Sequence, residues 1–67
     1  MEITIKAARV NAGLTQTAAA RKAGISRTTL QNYENYETIP DIKTAKRLAS
    51  IYGVSITDIK FYPEIEL

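Results

Sequence analysis

In the stretch TQTAAARKAGISRTTLQNYE, Thr15 to Glu34, two short helix-like runs flank Gly24, and the second carries Arg27 beside Thr28 and Thr29. Guanidinium, hydroxyl and amide groups close together in sequence can make hydrogen bonds, but they do not by themselves run a reaction. The chain has no His and no Cys, and it shows neither a glycine-rich phosphate loop nor a close carboxylate pair. Acid–base, thiolate and phosphate-loop catalysis therefore lack their usual groups, and an enzyme, a metal or another cofactor is not expected. The charge pattern points elsewhere. The net charge is only +2, yet from Ile3 to Leu30 the chain carries Lys6, Arg9, Arg21, Lys22 and Arg27 with no acid, while acids gather at Glu34, Glu37 and Asp41 and again at Glu64 and Glu66. A one-sided basic surface is a usual footprint of nucleic-acid binding, although a solvated helix face gives the same pattern.

The elements that must position these groups are helical. Apolar residues recur at spacings of three and four, and Ala, Leu, Lys and Arg are abundant. Five short helices are expected, in an all-α fold. Thr4 caps the first, with Ile5, Ala8 and Ala12 inward and Gly13 at its end; Thr15 caps the second, with Ala19, Ala20 and Ala23 inward and Gly24 at its end. Ser26 opens the third, which offers Leu30 and Tyr33 to the core. Pro40 breaks the chain, Asp41 caps the fourth, and Ile42, Ala45, Leu48, Ala49 and Tyr52 line one stripe up to Gly53. Ser55 opens a brief fifth helix. The opening ITI has the look of a strand but no matching second strand, so strand structure is not expected there.

With 67 residues the chain has room for one domain, read as residues 1–62, followed by a tail at 63–67. The lack of cysteine makes the cytoplasm the default compartment, and no stretch approaches the roughly 18 apolar residues of a membrane span. No small-molecule ligand is evident.

Two helices crossing through a tight corner need a small residue on the first and a glycine at the turn, because their backbones approach closely. Ala20 and Gly24 meet that need. The corner also needs an apolar plug and a clamp, which Ile25, Leu30 and Tyr33 provide.

At this point the chain resembles the helix-turn-helix regulators of the Cro and phage-repressor type, the Xre family. GLTQ (Gly13 to Gln16), AGIS (Ala23 to Ser26), YEN (Tyr33 to Asn35), Pro40 and LASIYGVS (Leu48 to Ser55) follow that family's pattern in order and spacing, over about Ile5 to Ile59. The resemblance implies a compact five-helix bundle of the phage-repressor DNA-binding domain type. It further implies a transcriptional regulator on double-stranded DNA, with the helix from Ser26 to Asn35 in the major groove. By the same resemblance Ser26, Arg27 and Thr28 stand at its leading end, with Gln31 and Asn32 on the next turn; Gln16 anchors a phosphate and braces that helix, and Lys43 is a further backbone contact. The chemistry suits these places: Arg reaches guanine O6 and N7, Asn pairs with an adenine edge, and a Thr methyl meets a thymine methyl. Arg9 and Glu34 match a family ion pair that ties the first helix to the end of the recognition helix.

Two departures from the family pattern carry expectations. Ala19 and Ala23 replace larger aliphatic residues, which thins the core at about 0.8 kcal/mol per buried methylene; Leu14, Tyr33, Leu48 and Tyr52 must partly fill it. Tyr36 stands where the family commonly has glycine, so Asn35 is expected to take the left-handed position or the loop to be rebuilt. A module of this size binds a half-site weakly, which implies a weak homodimer on a palindromic operator with half-sites about 34 Å apart. Pairing could use Ile59, Phe61, Tyr62, Ile65 and Leu67, although Ile59 and Phe61 lean towards packing on their own domain. Repression would then come from occupancy of the operator. The rival reading is a protein-interaction module, such as an antitoxin or an anti-repressor partner, and an apolar face on the recognition helix would favour it.

Overall fold

Side-chain oxygens start each of the four α-helices in the computed structural model, which describes residues 2–63. Thr4 Oγ1 accepts from the Ala7 N–H at 3.0 Å ahead of α1 (Ile5–Asn11), and Thr15 Oγ1 accepts from Ala18 at 3.1 Å ahead of α2 (Gln16–Ala23). Ser26 Oγ accepts from Thr29 at 3.0 Å ahead of α3 (Arg27–Glu34), and Asp41 Oδ1 accepts from Thr44 at 2.8 Å ahead of α4 (Ile42–Tyr52). Each bond satisfies one of the open N–H groups of a first turn and is worth about 1 kcal/mol. The bonding to Thr44 also holds the Asp41 carboxyl below its ordinary range, with Lys43 and Arg47 adding to the effect.

The fifth helix is not an α-helix. Ser55 caps only a 3₁₀ turn at Ile56–Asp58, after which Ile59 takes extended backbone at φ −98° and ψ 132°. The reason is that β1 (Ile3–Thr4) pairs in parallel with β2 (Ile59–Lys60), placing Ile3 against Ile59 and Thr4 against Lys60. The expectation of a purely helical chain is thus corrected to a mostly helical fold with one short strand pair. Two residues cannot show a period-two pattern, and here the intervening helices together form the crossover that a parallel pair requires.

Ala12 is a second correction. It is exposed, because α1 ends at Asn11 and Ala12 is already the cap residue leading to Gly13. The other inward assignments hold for Ile5, Ala8, Ala19, Ala20, Ala23, Leu30, Ala45, Leu48, Ala49 and Tyr52, all buried, whereas Ile42 is 71% exposed. Ile42 sits in the first turn of α4, ahead of the stripe that faces the core. Ile59 and Phe61 are buried against their own domain, and Leu14, Ile25 and Tyr33 pack half-buried around the core. The core is thin, as the alanines imply: Ile5, Leu30 and Leu48 are its largest fully buried side chains. Ile65, Leu67 and most of the expected 63–67 tail lie outside the described residues.

The left-handed position after α3 falls on Tyr36, at φ 59°, and not on Asn35, which sits at φ −88° and ψ 0°. This overturns the expectation from residue type. Glu37 N–H returns to the Asn32 carbonyl at 2.9 Å and Tyr36 N–H to that of Tyr33 at 3.1 Å, a turn that needs positive φ at residue 36. The conformational cost of roughly 1 kcal/mol is offset by what the side chain does. Its ring is half-buried and its hydroxyl donates to the Lys60 carbonyl at 3.0 Å, fastening the loop to β2. Burial pushes the Tyr36 hydroxyl pKa up, so it remains a donor.

Candidate nucleic-acid interface

The corner between α2 and α3 is built from local geometry. Gly24 takes the left-handed conformation at φ 72°, and its N–H and that of Ile25 return to the carbonyls of Arg21 and Ala20 at 3.2 and 3.0 Å. Any other residue would be strained at that φ. Ile25 plugs the corner and Ser26 begins α3 at once, so helix, short turn and helix follow without slack. The alanine face of α2 is fully covered, which brings α3 and α4 close to its backbone.

The far end of α3 is held by a buried polar cluster. Arg9 Nε donates to Glu34 Oε2 at 2.6 Å and Arg9 Nη2 to Glu34 Oε1 at 3.2 Å, while Arg9 Nη1 donates to the Leu14 carbonyl at 2.8 Å. Gln16 Nε2 donates to Glu34 Oε1 at 3.1 Å. One carboxylate therefore joins α1, the start of α2 and the end of α3. The pair expected between Arg9 and Glu34 is present, and the bracing half of the role expected of Gln16 is present with it.

Of the residues expected to meet a ligand, Ser26, Arg27, Thr28, Gln31 and Lys43 are exposed, and Gln16 and Asn32 are half-exposed. Arg27, Thr28 and Gln31 fall at i, i+1 and i+4, on one outward face of α3. Ser26 is more constrained than its place suggested: its Oγ caps Thr29 and also shares a 2.8 Å hydrogen bond with the Thr29 hydroxyl. Thr29 is half-buried and belongs to that cap. Lys43 lies on α4, away from the elbow in sequence. Arg47, one turn further along α4, was not singled out by residue type, yet its Nη1 donates to the Ala23 carbonyl at 2.8 Å. Its spacing of four from Lys43 on an exposed helix face was the one available signal.

A tight helical elbow whose second helix is pinned at both ends and polar on its outer face is a helix-turn-helix. The chain belongs to the helix-turn-helix family, whose model matches residues 5–59, and it is accordingly a DNA-binding regulator and not an enzyme. It is 43% identical over 51 residues to the HTH-type transcriptional regulator ImmR of Bacillus subtilis, covering 76% of this chain and 40% of that one. An uncharacterized HTH-type transcriptional regulator of Methanocaldococcus jannaschii is 36% identical over 66 residues, covering 98% of this chain and 100% of the relative. One of Archaeoglobus fulgidus is 31% identical over 67 residues, covering 100% of this chain and 94% of the relative. The chain thus spans less than half of ImmR but nearly the whole of the two archaeal relatives. No solved structure matches the chain. Among the described residues, no helix is long and apolar enough to cross a membrane.

Proposed function

We propose that the chain reads a specific sequence in double-stranded DNA by laying α3 in the major groove. The observation that carries this reading is the outward face of α3, where Arg27, Thr28 and Gln31 are all exposed and all polar, on a helix fixed at both ends. Arg27 and Thr28 meet base edges, with Gln31 and Asn32 on the next turn. Gln16 has a second amide hydrogen beyond the one given to Glu34, and that hydrogen faces a phosphate together with the open N–H groups at the start of α2. Ser26 and Lys43 add backbone contacts. A recognition helix without an exposed apolar residue argues against a partner protein on this face.

Two copies bind a palindromic site with half-sites about 34 Å apart. A surface for self-association is available apart from α3: Ile42, 71% exposed, and Tyr62, 64% exposed, flank a groove of about 650 Å³ floored by Ile59 and Phe61. Regulation follows from occupancy of the operator in the cytoplasm, the result being repression wherever that site overlaps the one polymerase needs.

Selection of bound duplexes from a random pool, followed by titration of a selected and a scrambled duplex at several salt concentrations, tests the reading. A shared motif with twofold symmetry is expected, together with affinity that falls steeply as salt rises. Enrichment of no motif would overturn sequence-specific reading, and enrichment of an asymmetric single site would overturn the dimer.

A further inference from the structure

The capping bonds of the α2 corner do not use the last carbonyl of the helix. Gly24 and Ile25 return their N–H groups to Arg21 and Ala20, and the carbonyl of Ala23, the last residue of α2, accepts from Arg47 Nη1 at 2.8 Å. The donor comes from α4, 24 residues further on. The same Nη1 lies 3.6 Å from where a Cβ on Gly24 would sit, so the guanidinium packs directly over the corner. Carbonyls at a helix C-terminus bear partial negative charge, and a guanidinium hydrogen bond there is stronger than a neutral one. Glu34 holds the far end of α3; Arg47 makes a long-range hydrogen bond that ties the end of α2, just ahead of the corner, to α4.

We propose that Arg47 is a positioning residue for sequence reading: by clamping the Ala23 carbonyl to α4 it sets the direction in which α3 leaves α2. Ala23 is three residues before Ser26, so movement at this carbonyl passes directly into the first turn of α3. An eight-residue helix is about 12 Å long, and a swing of about 10° moves one end by about 2 Å relative to the other. That displacement exceeds the whole range of heavy-atom distances over which a hydrogen bond to a base survives. Arg47 therefore governs discrimination between sequences, and it does so without touching a base. The inference rests on α3 being the element that reads DNA.

The test uses the full chain with Arg47→Lys and Arg47→Met, titrated against the duplex selected by the unaltered protein and against a scrambled duplex, over a range of salt. Amide exchange at Gly24 and Ile25 is followed in the free proteins. Lys keeps the charge but replaces the rigid fork with a flexible point donor, so it reports on positioning even if Met impairs folding. Arg47→Met is expected to lose roughly tenfold on the selected duplex and about twofold or less on the scrambled one, in line with the loss of one charged hydrogen bond. Arg47→Lys is expected to lose part of the discrimination at unchanged salt slope, and both variants exchange the corner amides faster. Equal losses on both duplexes, with the salt slope reduced by about one, would make Arg47 a phosphate ligand and overturn the proposal. Retained discrimination in both variants would overturn it while leaving the reading of DNA by α3 intact. If the unaltered protein discriminates between no duplexes, the proposal falls together with that reading.

Discussion

Replacing Glu34 by Ala should be among the most damaging single changes to the domain. The carboxylate receives three hydrogen bonds, two from Arg9 and one from Gln16, and the paired side chains of Arg9 and Glu34 are only 10% and 3% exposed. Its removal strands a guanidinium in a place that water reaches poorly. Breaking a buried pair from one side costs about 3–5 kcal/mol, against a total stability of about 3–10 kcal/mol for a domain of this length. At about 4 °C or more per kcal/mol, the melting temperature should fall by at least about 12 °C. Urea denaturation followed by circular dichroism is run on Glu34→Ala, and on Arg9→Met, Glu34→Leu and their double variant, which together close the cycle. The double variant should recover most of the loss, because an apolar pair leaves no stranded charge. A cost below about 1 kcal/mol for Glu34→Ala would mean that the pair behaves as an exposed one, and the tether between α1 and α3 would have to be abandoned.

Other expectations follow from single residues. The Tyr52 hydroxyl is buried with no hydrogen-bond partner among the described residues, so Tyr52→Phe should hold or raise the melting temperature; a clear fall would reveal a partner for that hydroxyl. Burial, reinforced by the charge of Glu34, pushes the Tyr52 pKa from 10.0 up to about 12. Its contribution is therefore intact below pH 10 and lost as pH rises towards 12, and an alkaline melt of Tyr52→Phe should be flatter over that window. Tyr36→Phe should cost about 1 kcal/mol by losing the bond to Lys60, whereas Tyr36→Gly relieves the backbone but loses ring and bond alike; equal stability of all three in urea would deny the fastening. Gly24→Ala should cost about 1–2 kcal/mol, since a Cβ finds room 3.6 Å from Arg47 and only the positive φ resists it; an unchanged midpoint would show that the corner can re-form. Arg27→Ala should relax preference at one base pair and cost roughly 1–3 kcal/mol there, while a uniform loss over all sequences would make Arg27 a phosphate ligand.

What could be read before folding was local or carried by the family resemblance. Thr4, Thr15, Ser26, Asp41 and Ser55 cap turns only a few residues long, so sequence proximity alone discloses them. Gly24 is legible for the same reason. The bond between Arg9 and Glu34 spans 25 residues and came from the resemblance, not from any pattern in the residues themselves. What escaped was tertiary without a repeating signal. A two-residue ladder between Ile3–Thr4 and Ile59–Lys60 has no periodicity to detect. The backbone preference of Tyr36 is overridden by a hydroxyl bond formed 24 residues away. The Arg47 side chain is aimed at a carbonyl that only the completed corner presents. At the candidate interface, the exposure of Arg27, Thr28 and Gln31 agrees with helical phase, while the commitment of Ser26 to its cap could be weighed only with Thr29 in place.

The alanine lining of α2 has an implication for anyone wishing to make the protein hardier. Ala19, Ala20 and Ala23 are almost wholly covered, and α3 and α4 pack against the helix that carries them. A Val or Leu introduced there would gain oily surface only by wedging the elbow open, and the tilt of Arg27 would shift with it. On the proposed reading of DNA by α3, robustness and choice of target are welded together in this small domain, and selection for heat tolerance at those three positions should also yield proteins with altered operators.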